Sequence, residues 1–423
     1  MAGDHDNALG LYIAVPFCRS KCTYCNFASG VYPAGEHGRY VERLMEDMAA
    51  AGAWAGRLGV DLPRRVDSVY LGGGTPSLLE PELLKRLFGA IRAEFDVDAE
   101  ITVECAPGQL PEAMLEALVG AGVNRVSLGA QSFVDSEARG SGRLHDRATV
   151  EADLRRLHGA GLANVNVDLI AGLAGQTRAS WEESLEALIG SGVPHASVYM
   201  LEVDEDSRLG RELLAGGARY RAGLVPSDEA IAEMYLRAIE RLGEAGVEQY
   251  EISNFSRAGC ESRHNLRYWR RRPYLGVGLD ASSMLREAGE TSEPYVLRSA
   301  ATADLKAYLD GSEAPETAWL SPARQHEEAW FLGLRLNAGV NVAALEAEFG
   351  RERVEPAVQT AERLAEDGLL DWDGGTARLT ARGRLLSNEV FQEFLEAAGA
   401  QEDRGASPEA APAAGRLTHS QTM

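Results

Sequence analysis

The chain has 423 residues, with 42 Lys or Arg against 64 Asp or Glu, for a formal net charge of −22. A hydrophobic fraction of 45% is enough to bury a core across two or three domains. The acidity argues against an extended nucleic-acid or anionic-membrane surface, which needs net cations at the contact. With only Lys21, Lys85 and Lys306 present, a Schiff-base or phosphate-loop lysine has few candidates.

Residues 1–10 form a lead with acids and no apolar stretch, so no secretory signal is expected. No apolar run reaches the length of a bilayer span. Strands are predicted at 11–15, 66–71, 100–104, 125–128, 163–169 and 195–201. Helical spacing fills 40–57, 81–95, 111–120, 148–159 and 178–189 between them. Pro81 and Pro111 suit a first helical turn, and Gly120-Ala121-Gly122 suits a stop. Several strands read as near-continuous apolar runs, which fits strands covered on both faces. Six βα repeats predict an α/β fold with a parallel sheet, either doubly wound or curved into a partial barrel over 11–255.

Residues 202–226 break the pattern as a charged, Gly-rich excursion. A helix at 228–243 and a strand at 248–253 follow. Residues 256–320 read as a separate polar, Arg-rich segment and linker. Residues 321–396 form a further α+β unit, with helices near 325–334, 342–349 and 354–367 and strands at 369–372 and 377–379. Its order resembles a winged helix, without a basic recognition helix, and a small helical packing domain is the alternative. Residues 397–423, rich in Ala, Gly, Pro and Glu, are expected to be disordered.

Three of the five cysteines crowd into Cys18-Arg-Ser-Lys-Cys22-Thr-Tyr-Cys25, directly after the first predicted strand. Clustered cysteines in a chain without a disulfide framework point to a reducing cytoplasm and to metal binding. Three thiolates this close can hold three irons of a [4Fe–4S] cube and leave the fourth iron open, where an electron-transfer cube takes four. Zinc would want a fourth protein ligand, usually from a second Cys pair, and none exists. Further polar groups fall where strands end. The strand at 66–71 runs into Gly72-Gly73-Gly74-Thr75-Pro76, whose missing side chains let a ligand approach backbone N–H groups. Glu104, Gln131 and Asp168 end or follow later strands, and Arg143 sits in the loop after Gln131. In a curved βα sheet these ends converge on one mouth, so residues far apart in sequence can meet one molecule.

The cysteine motif resembles the radical SAM superfamily. Leu11-Tyr12-Ile13-Ala14-Val15-Pro16-Phe17-Cys18, the GGGTP turn, Ser127-Leu128-Gly129-Ala130-Gln131-Ser132-Phe133, Gly142-Arg143-Leu144-His145 and Asp168-Leu169-Ile170-Ala171-Gly172-Leu173 look like its oxygen-independent coproporphyrinogen III oxidase family. The resemblance implies a partial (β/α)6 barrel and a [4Fe–4S] cluster on Cys18, Cys22 and Cys25. It also implies S-adenosylmethionine held by Tyr12, Tyr24, Gly73, Gly74, Thr75, Glu104, Gln131, Arg143 and Asp168.

That family has an oxidase branch and a haem-chaperone branch, HemW. The oxidase motif continues with a fourth cysteine at the position of Phe27 and has a longer segment before its cysteines, whereas 17 residues precede Cys18 here. The stretch His264-Asn265-Leu266-Arg267-Tyr268-Trp269 is similar to the H-N-x-x-Y-W signature associated in the chaperone branch with haem. The resemblance implies His264 as an iron ligand, Tyr268 and Trp269 as porphyrin surface, and Arg263, Arg267, Arg270, Arg271 and Arg272 as propionate partners. By themselves, a His beside aromatics reads as a packed core residue and an Arg run as a solvated face. Cys260 reads as a structural thiol with a smaller claim on iron, and Cys105 as a buried small residue. Three positions depart from the branch pattern: Ala14 replaces a His, Cys105-Ala106-Pro107 replaces Ala-Asn-Pro, and Leu279-Asp280-Ala281-Ser282-Ser283 lacks a His. The implied activity is haem binding and delivery to apo-haem proteins, respiratory ones included, by a cytoplasmic homodimer touching membranes only transiently. The alternative is coproporphyrinogen III oxidation.

Overall fold

The computed structural model describes residues 8–289 and 293–399. The lead and tail expectations at 1–7 and 400–423 lie outside them.

Six strands alternate with helices as the spacing predicts: β1 (Leu9–Val15), β2 (Arg65–Gly73), β3 (Asp96–Cys105), β4 (Arg125–Gln131), β5 (Asn164–Ala171) and β6 (His195–Met200). They pair in parallel in that order. β7 (Glu248–Glu251) and β8 (Asn254–Ser256) close one side antiparallel to β6. On the other side β9 (Tyr274–Val277) pairs in parallel with β1. β10 (Ser282–Arg286), β11 (Val296–Ala300) and β12 (Glu316–Leu320) then extend the edge antiparallel, giving a 12-stranded sheet. Residues 274–320 thus continue the same sheet. Strands of four or five residues such as Tyr-Leu-Gly-Val carry too little alternation to be read from sequence.

The parallel strands are covered on both faces, but the two faces differ in chemistry. Leu11, Ile13, Val69, Leu71, Val103, Val126, Leu128, Val165 and Val167 point outward into one apolar core beneath the helices. The alternate residues, among them Tyr12, Ser68, Tyr70, Thr102, Glu104, Arg125, Ser127, Asn166 and Asp168, share the inner face, because strand side chains alternate with period two. The interior is therefore polar. The helix Arg263–Trp269 sits against it: Ser262 accepts from the Asn265 N–H, and the buried Glu100 accepts from the N–H groups of Arg263 (2.9 Å) and His264 (3.4 Å).

The surrounding helices obey local rules. Pro81 opens the helix Pro81–Glu94, whereas Pro111 caps Glu112–Gly120 from outside. Thr177 and Ser180 form a reciprocal capping pair on Arg178–Ser191. The excursion after β6 contains the short helix Arg208–Leu214, capped by Ser207.

The C-terminal unit packs helices Pro322–Leu334, Val342–Phe349, Arg351–Glu366 and Ser387–Gly399 around a small antiparallel sheet, ordered β13 (Val340–Asn341), β15 (Thr376–Leu379), β14 (Leu370–Trp372). Its core centres on Trp330, fully buried and stacked on Phe394 with ring centroids 4.8 Å apart. Among the described residues no helix is long and apolar enough to cross a membrane.

Candidate functional site

A cavity of about 550 Å³ opens at the C-terminal ends of the parallel strands. Cys18, Cys22, Cys25, Tyr24, Gly73, Gly74, Thr75, Glu104, Gln131, Arg143 and Asp168 all line it. The fold brings these eleven residues together from six separate segments. Tyr12 and His264 do not reach its wall.

Backbone bonds build the cysteine loop. Cys18 N–H donates to the Gly30 carbonyl (2.8 Å) and Gly30 N–H to the Pro16 carbonyl (2.9 Å), closing the loop at its base. Lys21 Nζ donates inward to the carbonyls of Phe27 (2.9 Å) and Ser29 (3.0 Å), so this lysine organises the loop. The excursion clasps it from outside: Leu209 N–H reaches the Thr23 carbonyl (2.8 Å), and Asn26 Nδ2 donates to Asp204 Oδ2 (2.6 Å). Burial pushes the Cys18 and Cys25 thiols above their usual pKa. Arg143 Nη1 donates to Cys22 Sγ (3.6 Å), and its Nη2 donates to the Gly129 carbonyl. Gly129 makes room for it, since a Cβ there would stand 3.0 Å from Arg143 Nη2.

The glycine turn is stitched to the cysteine loop. Gly74 N–H donates to the Val15 carbonyl (2.9 Å) and Thr75 N–H to the Phe17 carbonyl (2.8 Å). Gly73 has φ of 95°, a conformation open to glycine and strained for other residues. Its N–H donates to Glu104 Oε2 (3.1 Å), while Tyr70 OH donates to Oε1 (2.8 Å). Burial pushes the Glu104 carboxyl up to about 7, against these two bonds, which lower it. Asp168 accepts from Asn166 Nδ2 (2.6 Å) and more weakly from Ser127 Oγ. Gln131 ends β4 with φ of 69°, a left-handed backbone unusual for a side-chain-bearing residue and located at the cavity mouth.

Sequence reasoning missed Tyr70, Ser127 and Asn166, which hold the two carboxylates. Part of the signal was available: Asn166 lies two positions before Asp168 on its own strand, and Ser127 four before Gln131, whereas the facing of Tyr70 follows from its register opposite Tyr12.

Tyr12 lies under the glycine turn. Its hydroxyl would stand 3.4 Å from a Cβ at position 73, and its ring stacks near Tyr70 (6.1 Å) and His264 (6.3 Å). His264 is 1% exposed. Its Nδ1 pairs with Ser68 Oγ (3.0 Å) and its Nε2 with Tyr268 OH (2.9 Å). Burial, with Arg125 nearby, pushes its pKa down to about 3, so the ring is neutral. Arg267 is equally interior: it pairs with Asp67 and donates to the carbonyls of Ala8 and Pro273 (both 2.9 Å), so its charge is spent inside the fold. Arg271 pairs with Glu348 (2.6 Å) over the Phe349 ring. Trp269 is buried and carries the Arg335 guanidinium 4.3 Å from its ring centroid. Cys105 is buried, its thiol pushed up to about 12, and Cys260 is half-buried away from the cavity lining.

Residues 12–188 match the family model of the radical SAM superfamily, and 320–386 match the HemN C-terminal domain. Over 392 residues the chain is 34% identical to the protein named Heme chaperone HemW of Bacillus subtilis, covering 91% of this chain and 98% of that one. The Escherichia coli protein of the same name is 32% identical, covering 92% and 98%. The solved coproporphyrinogen III oxidase HemN of Escherichia coli superposes with a TM-score of 0.76, covering 93% of this chain and 91% of that one. At 23% identity that likeness speaks for the fold.

Proposed function

The chain belongs to the HemW family within the radical SAM superfamily, and from that membership we propose that it binds haem and delivers it to apo-haem proteins. The observation that supports this reading is near full-length similarity to several HemW proteins at about one-third identity. Coproporphyrinogen oxidation is less favoured: Phe27 stands where the oxidase motif has its fourth cysteine, and the oxidase likeness is one of fold.

In this reading Cys18, Cys22 and Cys25 would hold a [4Fe–4S] cluster, which would anchor S-adenosylmethionine in the cavity. The residues fit that group. Three thiols face one cavity, Arg143 stands beside Cys22, and the glycine turn, whose own N–H groups are bonded to Glu104, Val15 and Phe17, leaves space for a ligand because it carries no side chains. When bound, the cluster supplies a redox-active anchor for S-adenosylmethionine. Tyr24, packed against Leu201 and Ile170, offers a flat ring to an adenine. Glu104 and Asp168 offer acceptors to ammonium or ribose hydroxyls, and Tyr12 supports the turn from beneath. His264 is the iron ligand implied by the signature. In this conformation both its nitrogens are engaged, so coordination requires iron to replace the Tyr268 hydroxyl at Nε2.

The Glu104 carboxyl gives a pH signature. Its folded pKa is raised to about 7, so it is protonated below that value and loses an acceptor. S-adenosylmethionine affinity is expected to fall, by up to about tenfold, as the pH drops from about 8 to about 6. Glu104→Gln is expected to flatten the profile, and an unchanged profile in that variant, measured by calorimetry, would contradict the assignment.

Delivery is tested by mixing haem-loaded protein with an excess of an apo-globin and following the Soret band. Transfer faster than from free haem-saturated albumin is expected. Retention of haem, or release no faster than from albumin, would sink the delivery role.

A further inference from the structure

The cavity has a second end, away from the cysteine loop. Its wall there is made by Tyr199, Met200, Ile252, Arg335 and the start of the helix Ser387–Gly399. Arg335 caps the helix Pro322–Leu334, and its carbonyl accepts from the Ile252 N–H (3.1 Å), which fixes it against the strand edge. Its guanidinium lies 4.3 Å from the centroid of the Trp269 ring. Its Nε is buried without a hydrogen-bond partner, and among the described residues the side chain makes no ion pair.

Buried charges are normally paired, so an unpaired guanidinium in a cavity wall marks a place for an anion. The acids that face it do not neutralise it by contact. Glu251 is fully buried and is the acid whose charge most favours the Arg335 cation, but it makes no ion pair with it: its Oε1 accepts from Asn254, its Oε2 has no partner, and burial raises its pKa while the field of Arg335 opposes that rise. Glu202 and Glu389 stand on exposed positions at the rim. The helix start adds a second attraction. Val390 N–H is bonded to the Leu386 carbonyl (3.0 Å), and the amides just before it have no helical acceptor.

We propose that this end of the cavity is a carboxylate subsite and, resting on the haem reading, that it takes a propionate of the porphyrin. Haem carries both carboxylates on one edge. The side chains of Tyr199, Met200, Leu201 and Ile252 give its apolar ring a wall between the two ends of the cavity, and a haem seated there does not use His264, which stands outside the lining, as its iron ligand in this conformation. Trp269 then acts as the platform that orients the Arg335 cation, and touches the porphyrin only through it.

The test titrates haem and haem dimethyl ester into cluster-loaded full-length protein, as wild type, Arg335→Met and Arg335→Lys, following the Soret band. Wild type is expected to bind haem about tenfold or more tightly than the diester, the discrimination of a charge-assisted hydrogen bond. Arg335→Met is expected to bind both at the diester's level, and Arg335→Lys to keep part of the preference. The melting temperature of Arg335→Met should change little, because no ion pair is broken and relief of a buried, unpaired charge offsets the lost contact with the Trp269 ring. Equal affinities in wild type, or undiminished preference in Arg335→Met, would overturn the subsite while leaving haem binding in place. Failure of wild type to bind either compound would overturn both readings.

Discussion

Cys22→Ser is expected to abolish the iron–sulfur chromophore of anaerobically reconstituted protein and to reduce bound iron to background. A hydroxyl does not ionise near neutral pH as a thiol does, so one leg of the proposed three-cysteine site would be lost. No other cysteine can take its place. Cys105 borders the same cavity but is buried, with its thiol directed at the Val103 carbonyl 3.9 Å away and its pKa pushed up to about 12. Cys260 lies outside the cavity lining. Cys260→Ser is therefore the matched control, expected to keep full iron content. Iron retained by Cys22→Ser, or lost equally from Cys260→Ser, would show that the cluster is held differently.

Gly74→Ala is expected to be as damaging, by a different route. An added Cβ would lie 2.7 Å from the Val15 carbonyl oxygen, 2.8 Å from that of Phe17 and 2.8 Å from the Pro16 carbonyl carbon. All three are backbone atoms at the base of the cysteine loop, so no side chain can swing aside. Relief requires parting the turn from the loop and losing the Gly74 and Thr75 amide bonds. Overpacking and two lost hydrogen bonds together cost roughly 2–5 kcal/mol. Cluster assembly should fail along with stability, because the same bonds position Cys18. Gly89→Ala provides the contrast: it sits within a helix with open space around it. That change should be neutral or stabilising by up to about 1 kcal/mol. Chemical denaturation of both variants checks the pair, and equal stability would refute the steric account.

The repeating βα pattern was legible because strands β1–β6 are long enough to show apolar runs and are punctuated by Gly and Pro. Glu104, Gln131 and Asp168 were legible for the same reason: a polar residue closing an apolar strand stands out, and parallel topology sends all such ends to one mouth. The polar inner face was less visible. Thr, Ser and Asn between Val and Leu read as ordinary strand residues until the period-two alternation is assigned a side. Tyr12 and His264 show the limit of a motif. Their residue types suit a ligand contact, yet the fold places both below the cavity floor, His264 fully hydrogen-bonded between Ser68 and Tyr268. Arg267 likewise looked like a free cation in an arginine run, but it pairs with Asp67, 200 residues away. Arg335 was silent in sequence, because its meaning depends on meeting Trp269 and the β6–β8 edge across the domain boundary. Contacts of that range leave no local pattern.

The central claim, that this is a haem-binding member of its family, is tested most directly by titrating haem anaerobically into the cluster-loaded wild-type protein. The account predicts a shifted Soret band that saturates near one equivalent. A featureless, non-saturating rise indistinguishable from haem in buffer would contradict it.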